Sequence, residues 1–265
     1  MSKEKLYVVK IGGNIIDHEE SLKKFLHDFA ALKVNKILIH GGGKIATEIS
    51  KGLGIEAKMV DGRRITDAET LKIVTMVYGG LINKKIIALL QASECNAIGL
   101  TGADANIIKS NKRPLKNGID YGFVGDVDKV DGKMIGDLLN IGLTPVIAPL
   151  THNGQGDILN TNADTMASVI AVATSQQFET HLIYCFELNG VLKDFDDKNS
   201  VITELKEKDY KELKEKGIIS KGMIPKMDNS FEAIHAGVSS VRICHADDLL
   251  SIINKGETKG TKLYN

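Results

Sequence analysis

The chain has 265 residues, 43% of them apolar and 26% charged, enough for one large α/β domain with a substantial core. Its 34 basic side chains balance its 34 acidic ones, so no net field draws it to nucleic acid or to an anionic membrane. No apolar run reads as a membrane span, no signal peptide precedes the first strand, and Cys95, Cys185 and Cys244 lack ligand-like spacing and read as buried thiols of a reducing cytoplasm.

Residues 6–11 are a continuous apolar run with Lys10 near its end, the pattern of a buried strand stopped by Gly12-Gly13. Leu22, Phe25, Leu26, Phe29 and Leu32 then recur at helical spacing. Residues 36–40 form the next strand, stopped by Gly41-Gly42-Gly43, and Ile45, Ile49 and Leu53 mark one face of a following helix. Strand–helix–strand–helix predicts a parallel sheet covered by helices. Thr66 and Glu69 have capping-box spacing and open a helical pattern to about Ala92. Gly79-Gly80 inside it predicts a break or a close helix contact, for which a subunit interface is one reason.

A strand is expected over residues 96–100 and antiparallel hairpins over 106–130, where Asn117-Gly118 is a turn signal. Residues 134–141 read as a helix, 144–150 as a strand and 153–156 as a turn. A polar stretch over 159–166 feeds a helix of small and apolar residues ending near Thr174. Strands follow at 181–186 and 241–244, and helices at 207–216, 227–236 and 247–254. The count is about eight strands in the main sheet.

Lys10 with Gly12-Gly13 lies where ligands bind in open α/β sheets, beyond a strand's carboxyl end. Adjacent glycines let backbone amides approach a phosphate, and the lysine adds charge. A tight turn with a solvated lysine explains the same residues. Three glycines in a row at 41–43 are costly in chain entropy for a plain connection. Gly41, Gly43 and Ala46 also fit a relaxed dinucleotide fingerprint, with Asp61 near the ribose position, which leaves an NAD-dependent oxidoreductase as a competing enzyme class. That fingerprint belongs after the first strand of its unit, and here another glycine loop precedes it. No Walker A loop occurs.

Asn160, Asn162 and Asp164 alternate just before a helix start, which carries free amide donors. A calcium loop is rejected, because Thr165 holds the glycine position and Ala171 the acidic one. Helix capping is the plain alternative, and the default for Asn162. Arg63-Arg64 suits a carboxylate. Lys226, after Pro225, reads on its own as a surface lysine. The histidines show no paired ligand spacing, so no protein metal site is expected.

Taken together, Lys10-Ile11-Gly12-Gly13, the glycines after His40, residues 62–69, Asn83-Lys84, residues 159–164, residues 217–226 and Gly260-Thr261 resemble the amino acid kinase family, and within it the acylglutamate branch. The resemblance covers essentially the whole chain. It implies an α/β fold: a three-layer αβα sandwich around a mainly parallel sheet, as a single domain. The N-terminal lobe, about 1–176, would hold the acylglutamate and the dimer contact. The C-terminal lobe, about 177–265, would hold ATP.

By the same resemblance Lys10 and Lys226 are the transition-state lysines and Asp164 orients them. Gly42, Gly43, Arg64 and Asn160 bind the acylglutamate. Gly12 and Gly13 approach the transferring phosphoryl group. Glu187, Leu188, Asn189, Gly190, Val191 and Leu192, with Ile218, Ile219 and Ser220, line the nucleotide site. The implied reaction is ATP-dependent phosphorylation of the γ-carboxylate of N-acetyl-L-glutamate in arginine biosynthesis, by a cytoplasmic homodimer, with Mg²⁺ carried on the ATP phosphates. A carboxylate nucleophile is already ionised and needs no general base, only alignment and charge compensation.

Two departures from the family pattern stand out. Glu187 takes the place of an aspartate, and Asp61-Gly62-Arg63-Arg64 carries an extra charge pair. Arg63 could meet the additional carboxylate of N-succinylglutamate, which makes that compound the alternative substrate. A non-catalytic ligand sensor is a third reading, opposed by the joint presence of Lys10, Asp164 and Lys226. The family's arginine-inhibited members carry a helix before the first strand. Only about five residues lie there in this sequence, so arginine feedback is not expected.

Overall fold

Alternate side chains of the first strand point to opposite faces of a sheet that is covered on both sides. Leu6 and Val8 enter one apolar cluster, and Val9 and Ile11 the other, all fully buried. A computed structural model of the chain describes residues 2–60, 63–194, 196–197, 200–219 and 223–265, with Arg63 and Pro225 described by backbone alone.

Strand β1 (Lys5–Ile11) leads through α1 (Gly13–Asp17) and α2 (Glu19–Ala31) to β2 (Asn35–His40) and α3 (Gly43–Gly52). A hairpin of β3 (Met59–Val60) and β4 (Arg63–Arg64) precedes a long helical run. That run is α4 (Ala68–Val74), a π-helical segment (Thr75–Ile82) and α5 (Asn83–Ala92). Next come β5 (Ala97–Leu100), β6 (Ile108–Lys112), β7 (Gly125–Val130), α6 (Gly132–Asn140) and β8 (Thr144–Ile147). The chain continues with β9 (Leu150–His152), β10 (Ile158–Asn160), α7 (Ala163–Ser175) and β11 (Glu179–Phe186). The last elements are β12 (Glu204–Lys206), α8 (Glu207–Glu215), α9 (Ile224–His235), β13 (Ser240–His245), α10 (Leu249–Lys255) and β14 (Thr261–Tyr264).

The main sheet has 8 strands in the order β12-β14-β13-β11-β1-β2-β8-β5. Its pairings are parallel except for β13 with β14. One face packs on α6, α7, α8 and α9 through Ile135, Ile170, Tyr210 and Phe231. The other packs on α2, α4, α5 and α10 through Phe29, Val74, Ile86 and Leu249. This is the expected αβα sandwich with its eight strands. A smaller sheet, β10-β9-β6-β7, stands beside it and contains the expected hairpin.

Three expectations are corrected. The cap of α4 is Asp67, which accepts from the Thr70 amide at 2.8 Å, and Thr66 instead pairs with the 121–123 segment. Gly79-Gly80 breaks nothing: the helix widens there into the π-helical segment and continues. The unbroken run Ala68–Ala92 is therefore long and apolar enough to cross a membrane by length and composition, contrary to the sequence reading. Its Ile73, Val74, Val77, Ile82, Ile86 and Leu90 are buried against the sheet, so that apolar face belongs to the core. The short strands β9, β10, β12 and β14 were too brief for periodicity to register.

Candidate active site

Strands β1 and β2 are parallel neighbours with Ile11 opposite His40, which sets the two glycine loops side by side at one sheet edge. Gly42 has φ +147°, and a Cβ there would lie 2.2 Å from Ile82 Cδ1, so only glycine fits. Helix α3 starts immediately after it without a side-chain cap, leaving its first amides free to meet an anion. At Gly12 a Cβ would stand 3.5 Å from Lys10 Nζ and 3.7 Å from the Phe186 ring. Gly12 therefore sits directly beside the charged centre.

That centre lies on one face of the sheet. Lys10 follows Leu6 and Val8 at spacing two, so its side chain leaves β1 toward α7 and α9. Asp164, in the first turn of α7, reaches Lys10 Nζ through Oδ1 at 2.7 Å and pairs with Lys226 Nζ through Oδ2. Lys226 lies in the first turn of α9, which Pro225 opens in a position where no amide donor is lost. Asn162 caps α7, accepting from the amides of Asp164 and Thr165 at 2.9 and 3.0 Å, as its default reading required. The sequence thus brings Lys10, Asp164 and Lys226 into contact from three separate elements.

Burial pushes the Asp164 carboxyl up, but the attraction of Lys10 and Lys226 outweighs it and holds the group below the ordinary carboxylate range. Burial also lowers the Lys10 ammonium, against the pull of Asp164 and with the repulsion of Lys226. Two ammoniums share one carboxylate, so the cluster keeps an excess positive charge suited to phosphoryl oxygens. Phe186 adds its ring beneath both lysines, with the centroid 5.2 Å from Lys10 Nζ and 4.7 Å from Lys226 Nζ.

Arg64 lies on the other side of the second glycine loop. Its Nη2 donates to the Gly43 carbonyl at 2.9 Å and to Thr47 Oγ1 at 2.7 Å. Its Nη1 is buried without a protein partner, a donor that suits a ligand carboxylate. Asn160, at the end of β10, donates to Thr66 Oγ1 at 3.0 Å. Behind the loop His40 is fully buried. Its Nδ1 donates to the Gly41 carbonyl at 2.8 Å and its Nε2 accepts from Asn83 at 3.2 Å. Burial lowers its pKa to about 4, so it is neutral and fixes the loop by hydrogen bonds alone.

The segment after β11 forms a small apolar recess with Leu188, Gly190, Val191, Leu192, Ile218, Ile219 and Met223. Six of the residues expected at the nucleotide are there. Asn189 is not among the lining residues, Glu187 accepts a hydrogen bond from Asn14 instead, and Ser220 lies outside the described residues. Thr261 Oγ1 accepts from the Val191 amide at 2.8 Å and pins the recess to β14. Among the described residues no group of three or more His, Cys, Asp or Glu side chains could hold a metal.

Sequence reasoning missed Phe186, Thr66, Met223 and Asn14. One signal was available for Phe186: Tyr184 and Phe186 alternate on a strand that neighbours Lys10, which places them on the same face as the lysine. Arg63, whose side chain is not described, is neither joined to the site nor excluded from it.

The profile of the amino acid kinase family matches residues 5–245. The chain is 69% identical over 260 residues to an acetylglutamate kinase of Cytophaga hutchinsonii, covering 98% of each chain. It is 58% identical to an acetylglutamate kinase of Bacteroides thetaiotaomicron, covering 91% of this chain and 93% of that one. Among solved structures, an N-acetylglutamate synthase from Neisseria gonorrhoeae, complexed with coenzyme A and N-acetyl-glutamate, superposes with a TM-score of 0.85 at 21% identity. That likeness covers 100% of this chain and 60% of the synthase chain, and it speaks for the fold alone. With its glycine loops, its lysine–aspartate–lysine centre and this breadth of similarity, the chain belongs to the amino acid kinase family.

Proposed function

We propose that this chain is an acetylglutamate kinase: it transfers the γ-phosphoryl group of ATP to the γ-carboxylate of N-acetyl-L-glutamate, giving an acyl phosphate and ADP in arginine biosynthesis. The observation that carries the reading is the convergence of Lys10 and Lys226 on Asp164 beside Gly12. The relatives' names supply the substrate. In the reaction a carboxylate oxygen attacks the γ-phosphorus and the bond to the bridging oxygen of ADP breaks. Charge is spread over the phosphoryl oxygens, and no residue has to accept a proton.

The roles divide as follows. Lys10 and Lys226 neutralise the transferring group, and Asp164 holds both ammoniums at fixed positions. Gly12 and Gly13 leave room for the phosphoryl oxygens. Arg64 Nη1 and the free amides at Gly43 take the substrate's α-carboxylate side, with Gly42 keeping the backbone close and Asn160 bounding the other end. The recess at Leu188–Leu192, Ile218 and Ile219 takes the adenosine. These assignments divide the chain into an acylglutamate lobe at about 1–176 and a nucleotide lobe at about 177–265. Asp164 is engaged by two lysines, so Mg²⁺ rides on the ATP phosphates. The three buried free cysteines support a cytoplasmic location, and exposed Met76 and Leu81 on the π-helical segment support a homodimer.

The test is direct. Purified protein with ATP, Mg²⁺ and N-acetyl-L-glutamate is trapped with hydroxylamine, which turns an acyl phosphate into a hydroxamate. Hydroxamate and ADP should form only when both substrates are present. ADP release without hydroxamate, or no turnover at all, sinks the proposal. Running N-succinyl-L-glutamate in parallel measures the acyl preference, with the higher kcat/KM expected for the acetyl compound.

A further inference from the structure

We infer that Phe186 is a positioning residue for the phosphoryl transfer: its ring face is the floor that holds both ammoniums, Lys10 and Lys226, while Asp164 pairs them from the side. The inference rests on the kinase reading above. Both Nζ atoms lie within the roughly 6 Å at which an ammonium is attracted to an aromatic face. The ring is itself supported. Tyr184 stacks on it with centroids 6.2 Å apart and planes 14° apart, and the Tyr184 hydroxyl donates to the Asp164 backbone carbonyl at 3.2 Å. One pair of stacked rings therefore touches every member of the charged centre.

An apolar plug is the competing role, and the charge count argues against it. Two ammoniums on one carboxylate repel each other, and Lys226, with 23% of its side chain exposed against 8% for Lys10, is the one free to swing into water. An aliphatic side chain would fill the same space yet offer no attraction to keep it there. The negative face of an aromatic ring does. It holds the second lysine over the site between turnovers, before phosphate oxygens arrive to supply the missing counter-charge. Phe186 is only partly buried, as a ring is when its outer face meets charged groups instead of core.

The experiment replaces Phe186 with 4-fluoro-, 3,5-difluoro- and 3,4,5-trifluorophenylalanine in the full chain. These keep the ring's shape and weaken its negative face step by step. kcat should fall with each step, reaching about a tenfold loss at the trifluoro ring, with the KM for N-acetyl-L-glutamate changed less than about twofold. F186Y should retain most activity, and F186L should lose about tenfold or more in kcat. A flat fluorine series in a protein whose unsubstituted form turns over normally assigns Phe186 to packing and overturns the inference. It does so even if F186L fails to fold. No hydroxamate from the unsubstituted protein removes the kinase reading itself and this inference with it.

Discussion

Asp164 sits where a carboxylate is required, because one group must present two anionic oxygens to two cations. D164N keeps the shape but removes the charge, leaving two unneutralised ammoniums to repel each other. kcat should fall by at least about a hundredfold, as it does when a charge-stabilising group is lost, with acylglutamate KM little changed. K10A and K226A should each lose about a hundredfold as well, read in the same hydroxamate assay. Near-normal turnover in any of the three removes that residue from the mechanism.

His40 gives a prediction of a different kind. Its folded pKa, near 4, lies below its ordinary 6.5, so the unfolded chain binds the extra proton first. Its contribution is complete above pH 6.5 and is lost as pH falls toward 4, by on the order of 3 kcal/mol. Urea unfolding across that window should show the decline, and H40N should flatten it. The Asp164 contribution is lost as pH falls through the ordinary carboxylate range and below it, under most of the His40 window, so the two are separable. At this scale the sequence was half legible. Lys10 and Lys226 were weak signals alone and became strong in order along the chain. Phe186 was not legible from its local pattern, because a phenylalanine ending a strand looks the same whether it packs on core or on cations; only its alternation with Tyr184 beside Lys10 pointed to it.

Among the elements, the π-helical segment Thr75–Ile82 has the most direct bearing on the site. Widening the helix there turns Tyr78 and Ile82 toward the second glycine loop, where a Cβ at Gly42 would meet both. G42A combines that clash with a backbone angle L-residues rarely adopt. It should destabilise the protein by about 1–3 kcal/mol and raise the KM for N-acetyl-L-glutamate more than that for ATP. Relief of the clash by I82A without recovery of KM would show that the angle, and not the space, is limiting. Helices and long strands were legible because their apolar periods span many residues. The π-helical widening was not, because Gly79-Gly80 carries the same local signal for a break, a close contact or a change of helical pitch.

In the whole molecule, the sandwich was legible from the alternation of apolar strands and amphipathic helices, and the order of strands was not, since β12 and β14 are three and four residues long. The apolar side chains Met76 and Leu81, 56% and 53% exposed, give the proposed dimer its test. Sedimentation should report two copies, and L81E should shift the protein toward one. Strand β14 has a consequence for biosynthesis. It is the last strand of the main sheet in chain order, yet it lies inside the sheet, between β12 and β13. Until residues 261–264 have left the ribosome, β12 has no neighbour to join and the Val191 amide lacks its acceptor on Thr261. The half that begins at β11 therefore waits, open-edged, while the strands around β1 and β2 are already able to pair, and chaperone contact during translation should concentrate on that late half.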